Sequence, residues 1–200
     1  MHGAALPVIR SVLPADLPAL FVYLDDHLQD NGRDGTPLFQ PMARADSRFP
    51  VDKRAAFALG LGAQIGAPGW RRAWMALDLD GAICGHVDLR ARPERASSHR
   101  CLLGMGVHRD WRRQGLGERL LANALDWARG QAALDWVDLE VLSSNLPARR
   151  LYERCGFTFA GELPDLFRID GEQHGYVYMT LHLAGVTAGV SSDIRTRPLP

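Results

Sequence analysis

The sequence predicts a mixed β-sheet with helices packed on its faces, at the meeting point of the α/β and α+β classes. Three observations carry this. Short alternating apolar runs, the mark of half-buried strands, recur along the chain. Segments with apolar residues three and four apart fall between them, as helices with one buried face require. Asp80-Gly81 then joins two such strands as a hairpin, a pairing that a purely parallel sheet lacks.

In order, Val8–Val12 suits a first strand, and Pro14-Ala15-Asp16 opens a helix with Leu17, Leu20, Phe21 and Leu24 on one face. From Asp25 to Phe49 the chain is rich in Asp, Gly and Pro and reads as a long loop. Asp52 starts a second helix to about Ile65. The hairpin arms are Ala73–Leu79 and Ala82–Arg90, with Ile83, Gly85, Val87 and Leu89 on one face and Cys84, His86, Asp88 and Arg90 on the other. Cys101–Val107 is an apolar strand interrupted by Gly104 and Gly106, which points to a bulge or a close backbone approach. Leu120, Leu121, Ala124, Leu125, Trp127 and Ala128 line a helix that Gly130 ends. Trp136–Val141 is a strand, Asn145 precedes a short helix ended by Gly156, and Phe157–Ala160 and Tyr176–Leu183 are strands joined by a polar excursion. Residues 1–185 read as one domain and 186–200 as a tail with no core pattern.

Composition narrows the class. A chain of 200 residues with 46% apolar and 23% charged residues buries a core without staples. No apolar run approaches the roughly 18 residues of a membrane span, and MHGAALPVIRS lacks a basic start followed by a long apolar stretch, so neither membrane nor leader is expected. Cys84, Cys101 and Cys155 are odd in number and unpaired in spacing, which predicts reduced thiols in a cytoplasmic protein and no zinc framework. Basic and acidic residues balance at 23 each without a basic stripe, which disfavours nucleic acid as a partner.

The chemistry centres on Asp110–Leu121, DWRRQGLGERLL. A dinucleotide fingerprint needs a third glycine where Leu120 stands, and a phosphate-binding P-loop needs Gly-Lys-Ser/Thr, so neither motif is complete. What remains is a strand, a loop with Arg112 and Arg113, and a helix start carrying Gly115 and Gly117. Free N–H groups and the helix dipole favour an anion there, and glycines leave its path clear. A plain turn beside two solvated arginines gives the same pattern.

Downstream lies LEVLSSNLPARRLYERCGF, Leu139–Phe157. Together the two segments resemble the GCN5-related N-acetyltransferase (GNAT) superfamily. Its acyl-CoA signature, Arg/Gln-x-x-Gly-x-Gly/Ala, is met by Arg112, Gly115 and Gly117, and its second signature by Asn145, Ala148, Leu151, Tyr152, Gly156 and Phe157. The family's usual proline before the loop is replaced by Arg109. The resemblance implies a mostly antiparallel sheet of six to seven strands, two of which splay into a wedge for acyl-CoA. It also implies acetyl transfer from acetyl-CoA to an amine. His86 and Asp88 share a strand face, but two candidate ligands in isolation are usually structural, so no metal is expected. On this resemblance Arg112, Arg113, Gln114, Gly115, Leu116 and Gly117 hold the pyrophosphate, while Met105, Gly106 and Val107 offer backbone hydrogen bonds to the pantetheine arm. Asn145 contacts the cofactor besides capping its helix, and Tyr152 is the general acid that also touches the cofactor.

The spacing of Glu140, Asn145 and Tyr152 matches the ribosomal-protein alanine acetyltransferase branch, where the glutamate is the base. A charged residue on the polar face of a strand gives the same spacing, and His86, Asp88, His99 and His108 are alternative bases. Asp25, Asp26, Asp30 and Asp34 in the long loop are candidates to attract a cationic acceptor. Expected partners are a small-molecule or peptide amine and, as is common in the family, a second copy of the chain. A non-catalytic acyl-CoA sensor of the same fold is the competing reading.

Overall fold

Alternation along the strands divides the side chains between two faces, and each face acquires its own helices. The computed structural model describes residues 6–131 and 133–184; the tail expected at 186–200 lies outside them. The elements are β1 (Val8–Ser11), α1 (Leu17–Gln29), α2 (Val51–Gly62), β2 (Arg71–Leu77), β3 (Ile83–Ala91), β4 (Arg100–Val107), α3 (Leu116–Arg129), β5 (Trp136–Leu142), α4 (Leu146–Arg154), β6 (Thr158–Ile169) and β7 (Glu172–His182). The seven strands lie in the order β1-β2-β3-β4-β5-β7-β6. Only β4 and β5 are parallel; every other neighbouring pair is antiparallel.

On one face Trp74, Val87, Leu89, Leu103, Val137, Leu139 and Met179 pack with Leu120, Leu121, Ala124 and Leu125 of α3. These α3 residues recur at helical spacing and are almost wholly buried. The helix comes close because Gly85 has no side chain: a Cβ there would lie 2.8 Å from Leu120 Cδ1. On the other face Ala73 and Met75 pack with Leu20, Tyr23 and Leu24 of α1 and Phe57 of α2.

Three elements differ from the sequence reading. The first helix runs on to Gln29, through residues expected to be loop, because distant arginines hold its acids: Asp25 pairs with Arg54 and Asp26 with Arg109. The hairpin turn is longer than two residues. The Asp78 carboxylate accepts the N–H groups of Asp80 and Ala82, and the register shifts at Ala76/Leu77. The polar excursion is itself a continuation of β6 and β7, turned by Asp170 (φ 50°) and Gly171 (φ 85°), the left-handed pair that suits a tight hairpin. Edge strand β6 leaves Phe159 and Leu163 exposed and bulges between Leu163 and Phe167, which erases the alternation that reveals a strand.

Because Leu120 is fully buried between α3 and the sheet, Leu120→Ala should cost about 2–5 kcal/mol in chemical denaturation. A loss under about 1 kcal/mol would contradict this packing.

Candidate active site

The site begins where two neighbouring strands part. β4 and β5 pair only over Arg100–Leu102 and Trp136–Asp138. Beyond that, β4 continues against β3 as far as Val107, and β5 continues against β7 as far as Leu142. Each strand is therefore left with one unpaired edge along the gap. His108 N–H donates to Cys84 O at 3.0 Å, so by antiparallel alternation His86–Gly106 and Asp88–Gly104 are the bonded pairs. Leu103 N–H closes the last parallel rung on Asp138, so the peptide groups of Met105 and Val107 face the gap, while those of Gly106 face β3.

Gly106 matters through its missing side chain: a Cβ there would overlap the His27 imidazole and lie 2.7 Å from His86 Cε1. At Gly104 a Cβ would lie 2.8 Å from Asp88 Oδ1 and 2.9 Å from an Arg90 guanidinium nitrogen. Polar groups from α1 and β3 thus occupy the places β4 leaves empty. Tyr23 Oη donates to Gly106 O and lies 3.4 Å from His86 Nδ1. His27 stacks between Tyr23 and Phe39, and its Nδ1 is buried without a hydrogen-bond partner among the described residues. Burial lowers the pKa of both imidazoles, His86 to about 4 and His27 well below the ordinary histidine range, with His86, Arg112, His108 and Arg109 adding to the effect on His27. Sequence spacing does not single out Tyr23 and His27; their one signal is four-residue separation on the buried face of α1.

After β4 the chain turns through Arg109–Trp111 into the glycine loop. Arg113 (φ 60°) and Gly115 (φ 79°) are both left-handed, and α3 starts at Leu116 with its first N–H groups lacking intrahelical acceptors. Such a turn at a helix start makes a concave cradle of N–H groups suited to an anion. The two glycines differ: a Cβ at Gly115 would meet open space, whereas one at Gly117 would press Leu151 Cδ2 at 3.0 Å. Gly115 serves the turn and Gly117 serves packing against α4.

The arginines differ too. Arg113 is exposed, whereas Arg112 folds back to Val107 O (3.1 Å), Asp30 (2.7 Å) and Thr36 Oγ1 (3.1 Å). Gln114 donates to Asp110 O. Arg109, in the place of the family's proline, bridges to Asp26 and Asp30, so three of the loop's four acids are engaged by arginines.

α4 starts at Asn145, whose Oδ1 caps the helix by accepting Ala148 N–H at 3.3 Å. Tyr152 follows two turns on, buried, with its ring against Phe157. Burial, and then nearby Cys155, push its pKa well above the ordinary phenol range, so the hydroxyl keeps its proton at neutral pH. Glu140 is exposed and lies opposite Tyr178 on β7. Val137, Leu139 and Val141 point to α3 and α4, so Glu140, of opposite parity, is on the other face from Tyr152. The two can meet only through the gap. Of the alternative bases, Asp88 is tied to Arg71 and Arg90, His108 lies near Asp26 and Asp110, and His99 is exposed at the closed end of the wedge.

Comparison with known proteins agrees with this geometry. The family model described as Acetyltransferase (GNAT) family matches residues 43–157, and the chain belongs to that family. L-amino acid N-acetyltransferase AaaT of Escherichia coli (strain K12) is 28% identical over 103 residues, which span 50% of this chain and 62% of that protein. A GNAT-family acetyltransferase structure from Streptococcus pneumoniae superposes with a TM-score of 0.72 at 21% identity, covering 88% of this chain and 98% of that one. A phosphinothricin acetyltransferase from Sinorhizobium meliloti, crystallised in complex with acetyl-CoA, has a TM-score of 0.70 at 17% identity, covering 94% and 95%.

The buried imidazoles predict a pH dependence. The unfolded chain binds more protons than the folded one between the ordinary histidine pKa near 6.5 and the folded value near 4. Stability should therefore be full above about pH 6.5 and decline as the pH falls towards 4. His86→Asn should flatten that slope in denaturation measured across the window; an unchanged slope would contradict the assignment.

Proposed function

We propose that the protein is an acetyl-CoA-dependent N-acetyltransferase acting on a primary amine of a small molecule or a protein N-terminus. The observation that carries the reading is the gap between β4 and β5, with unpaired peptide groups along it, an anion cradle at its mouth and ionisable groups on either side. The amino-acid acetyltransferase among the relatives supports a small-molecule acceptor, and the neighbour in complex with acetyl-CoA supports the donor.

Acetyl-CoA, when bound, supplies an activated thioester. The Arg113–Gly117 segment would hold its pyrophosphate through N–H groups, with Arg113 adding charge and Gln114 and Leu116 fixing the turn. Arg112 acts by bracing that turn against Asp30 and Val107. Met105 and Val107 would bond the pantetheine arm, and Gly106 between them leaves room for His27 and His86 against the strand. Asn145 sets the start of α4 and lines the same end of the wedge. Tyr152 holds a proton on Oη for the sulfur that departs, and Glu140 receives a proton from the acceptor ammonium on the opposite face. The reading takes residues 1–185 as one acetyltransferase domain, cytoplasmic in keeping with Cys84, Cys101 and Cys155 as free thiols, and compatible with a homodimer.

Release of free CoA thiol from acetyl-CoA in the presence of a panel of amines tests the reading; acyl-CoA binding with no amine-dependent release would support the sensor instead. Tyr152→Phe should lower kcat about 100-fold while leaving KM for acetyl-CoA within about twofold. An unchanged kcat would remove Tyr152 from proton transfer.

A further inference from the structure

We infer that Arg92 and Arg100 form a carboxylate subsite for the acceptor, which makes the acceptor an amine that also carries a carboxylate, an amino acid. The inference rests on the acetyltransferase reading and names the substrate class of its site. A cleft of about 360 Å³ opens beside the wedge, lined by Arg92, Arg100, Asp138, Glu140, Tyr178 and Thr180 among others. That volume suits a small ligand.

The two arginines are fixed before any ligand arrives. Asp138, itself buried, accepts from Arg92 Nη1 at 3.0 Å and from Arg100 Nε at 2.8 Å, and a second Arg100 nitrogen closes a bidentate pair. Thr180 Oγ1 donates to Asp138 at 2.7 Å and accepts from Arg100 at 2.8 Å. The Arg100 guanidinium lies 4.7 Å from the centre of the Trp136 ring. These bonds use one terminal nitrogen of each arginine. Arg92 Nη2 and Arg100 Nη1 make no hydrogen bond among the described residues, and both side chains are about a quarter exposed (25% and 27%). Glu94, more than half exposed, also takes Arg92 Nε at 3.2 Å, so the cluster is close to neutral; what it offers an anion is immobilised N–H donors, which bind without a further ordering cost.

Position supplies the rest. Arg100 lies on the first and Asp138 on the last of the three rungs where β4 and β5 pair, so the arginine end of the cleft is the closed end of the wedge. Glu140 is two residues further along β5 on the same face, roughly 7 Å on, where the strands have parted. An amino acid with its carboxylate on the arginines lies with its ammonium towards Glu140 and the wedge. The reverse orientation sets like charges against each other at both ends.

Equilibrium binding of L-amino acids and their methyl esters, compared for the wild-type protein and Arg92→Gln, tests this, with kcat/KM measured for the same pairs and thermal melts to confirm folding. The wild type should favour an acid over its ester at least tenfold, Arg92→Gln should bring that ratio close to one, and Arg92→Lys should restore part of it. No preference in the wild type, or a preference that Arg92→Gln leaves intact, would overturn the subsite. A wild type that prefers the acids yet releases no free CoA thiol would support the subsite and overturn the acetyltransferase reading.

Discussion

Everything functional in this molecule depends on one interrupted strand pairing. β4 and β5 run side by side for three rungs and then separate, each retained by its antiparallel neighbour on the far side. A sheet interior ordinarily satisfies its peptide groups within the ladder, so an opened ladder leaves Met105 and the Val107 N–H seeking partners, while Arg112 takes Val107 O. The closed end is pinned by the Asp138 cluster, in which Arg92, Arg100 and Thr180 join β5 to β4, β7 and the segment after β3. The open end is set by the turn that follows β4, where Arg112 holds Val107 O and Asp30 together.

The two faces of the sheet contribute differently at the opening. The α3/α4 side is apolar up to the gap, and its polar contribution there is the buried phenol of Tyr152. The opposite side is lined with ionisable groups, Tyr23, His27, His86, Asp88 and Glu140, several of them reaching over Gly104 and Gly106. Low polarity on one side and paired charge on the other suits a reaction in which a neutral group gives a proton and a charged acceptor loses one. On that side Arg71 and Arg90 meet Asp88, while Arg92 and Arg100 meet Asp138. The loop acids that looked suited to draw a cation are engaged in the same way, Asp25 by Arg54 and Asp26 and Asp30 by Arg109.

The order of elements and the local turns and caps of the candidate site were legible in the sequence because they depend on local pattern. Helical spacing at Leu120, Leu121, Ala124 and Leu125, the DWRRQGLG turn and the Asn145 cap are each decided within a few residues. What depends on partners far along the chain was not legible. The end of α1 is held by Arg54 and Arg109, and the length of β6 shows no alternation because an edge strand need not bury a face. The glycines of the loop share one motif yet divide into a turn residue and a packing residue, a distinction made only by Leu151 across the α3–α4 contact. Arg112 belongs to the family signature by position, but its guanidinium is committed to Asp30, a partner no spacing rule names.

The central claim is that the unpaired β4 edge receives the acyl-CoA. Amide hydrogen exchange of Met105 and Val107, followed with and without acetyl-CoA, tests it most directly. The account predicts that these two amides slow on addition of acetyl-CoA while Leu103, bonded to β5, and Gly104 and Gly106, bonded to β3, change little. Slowing confined to other segments, with the β4 edge unchanged under saturating acetyl-CoA, would contradict it.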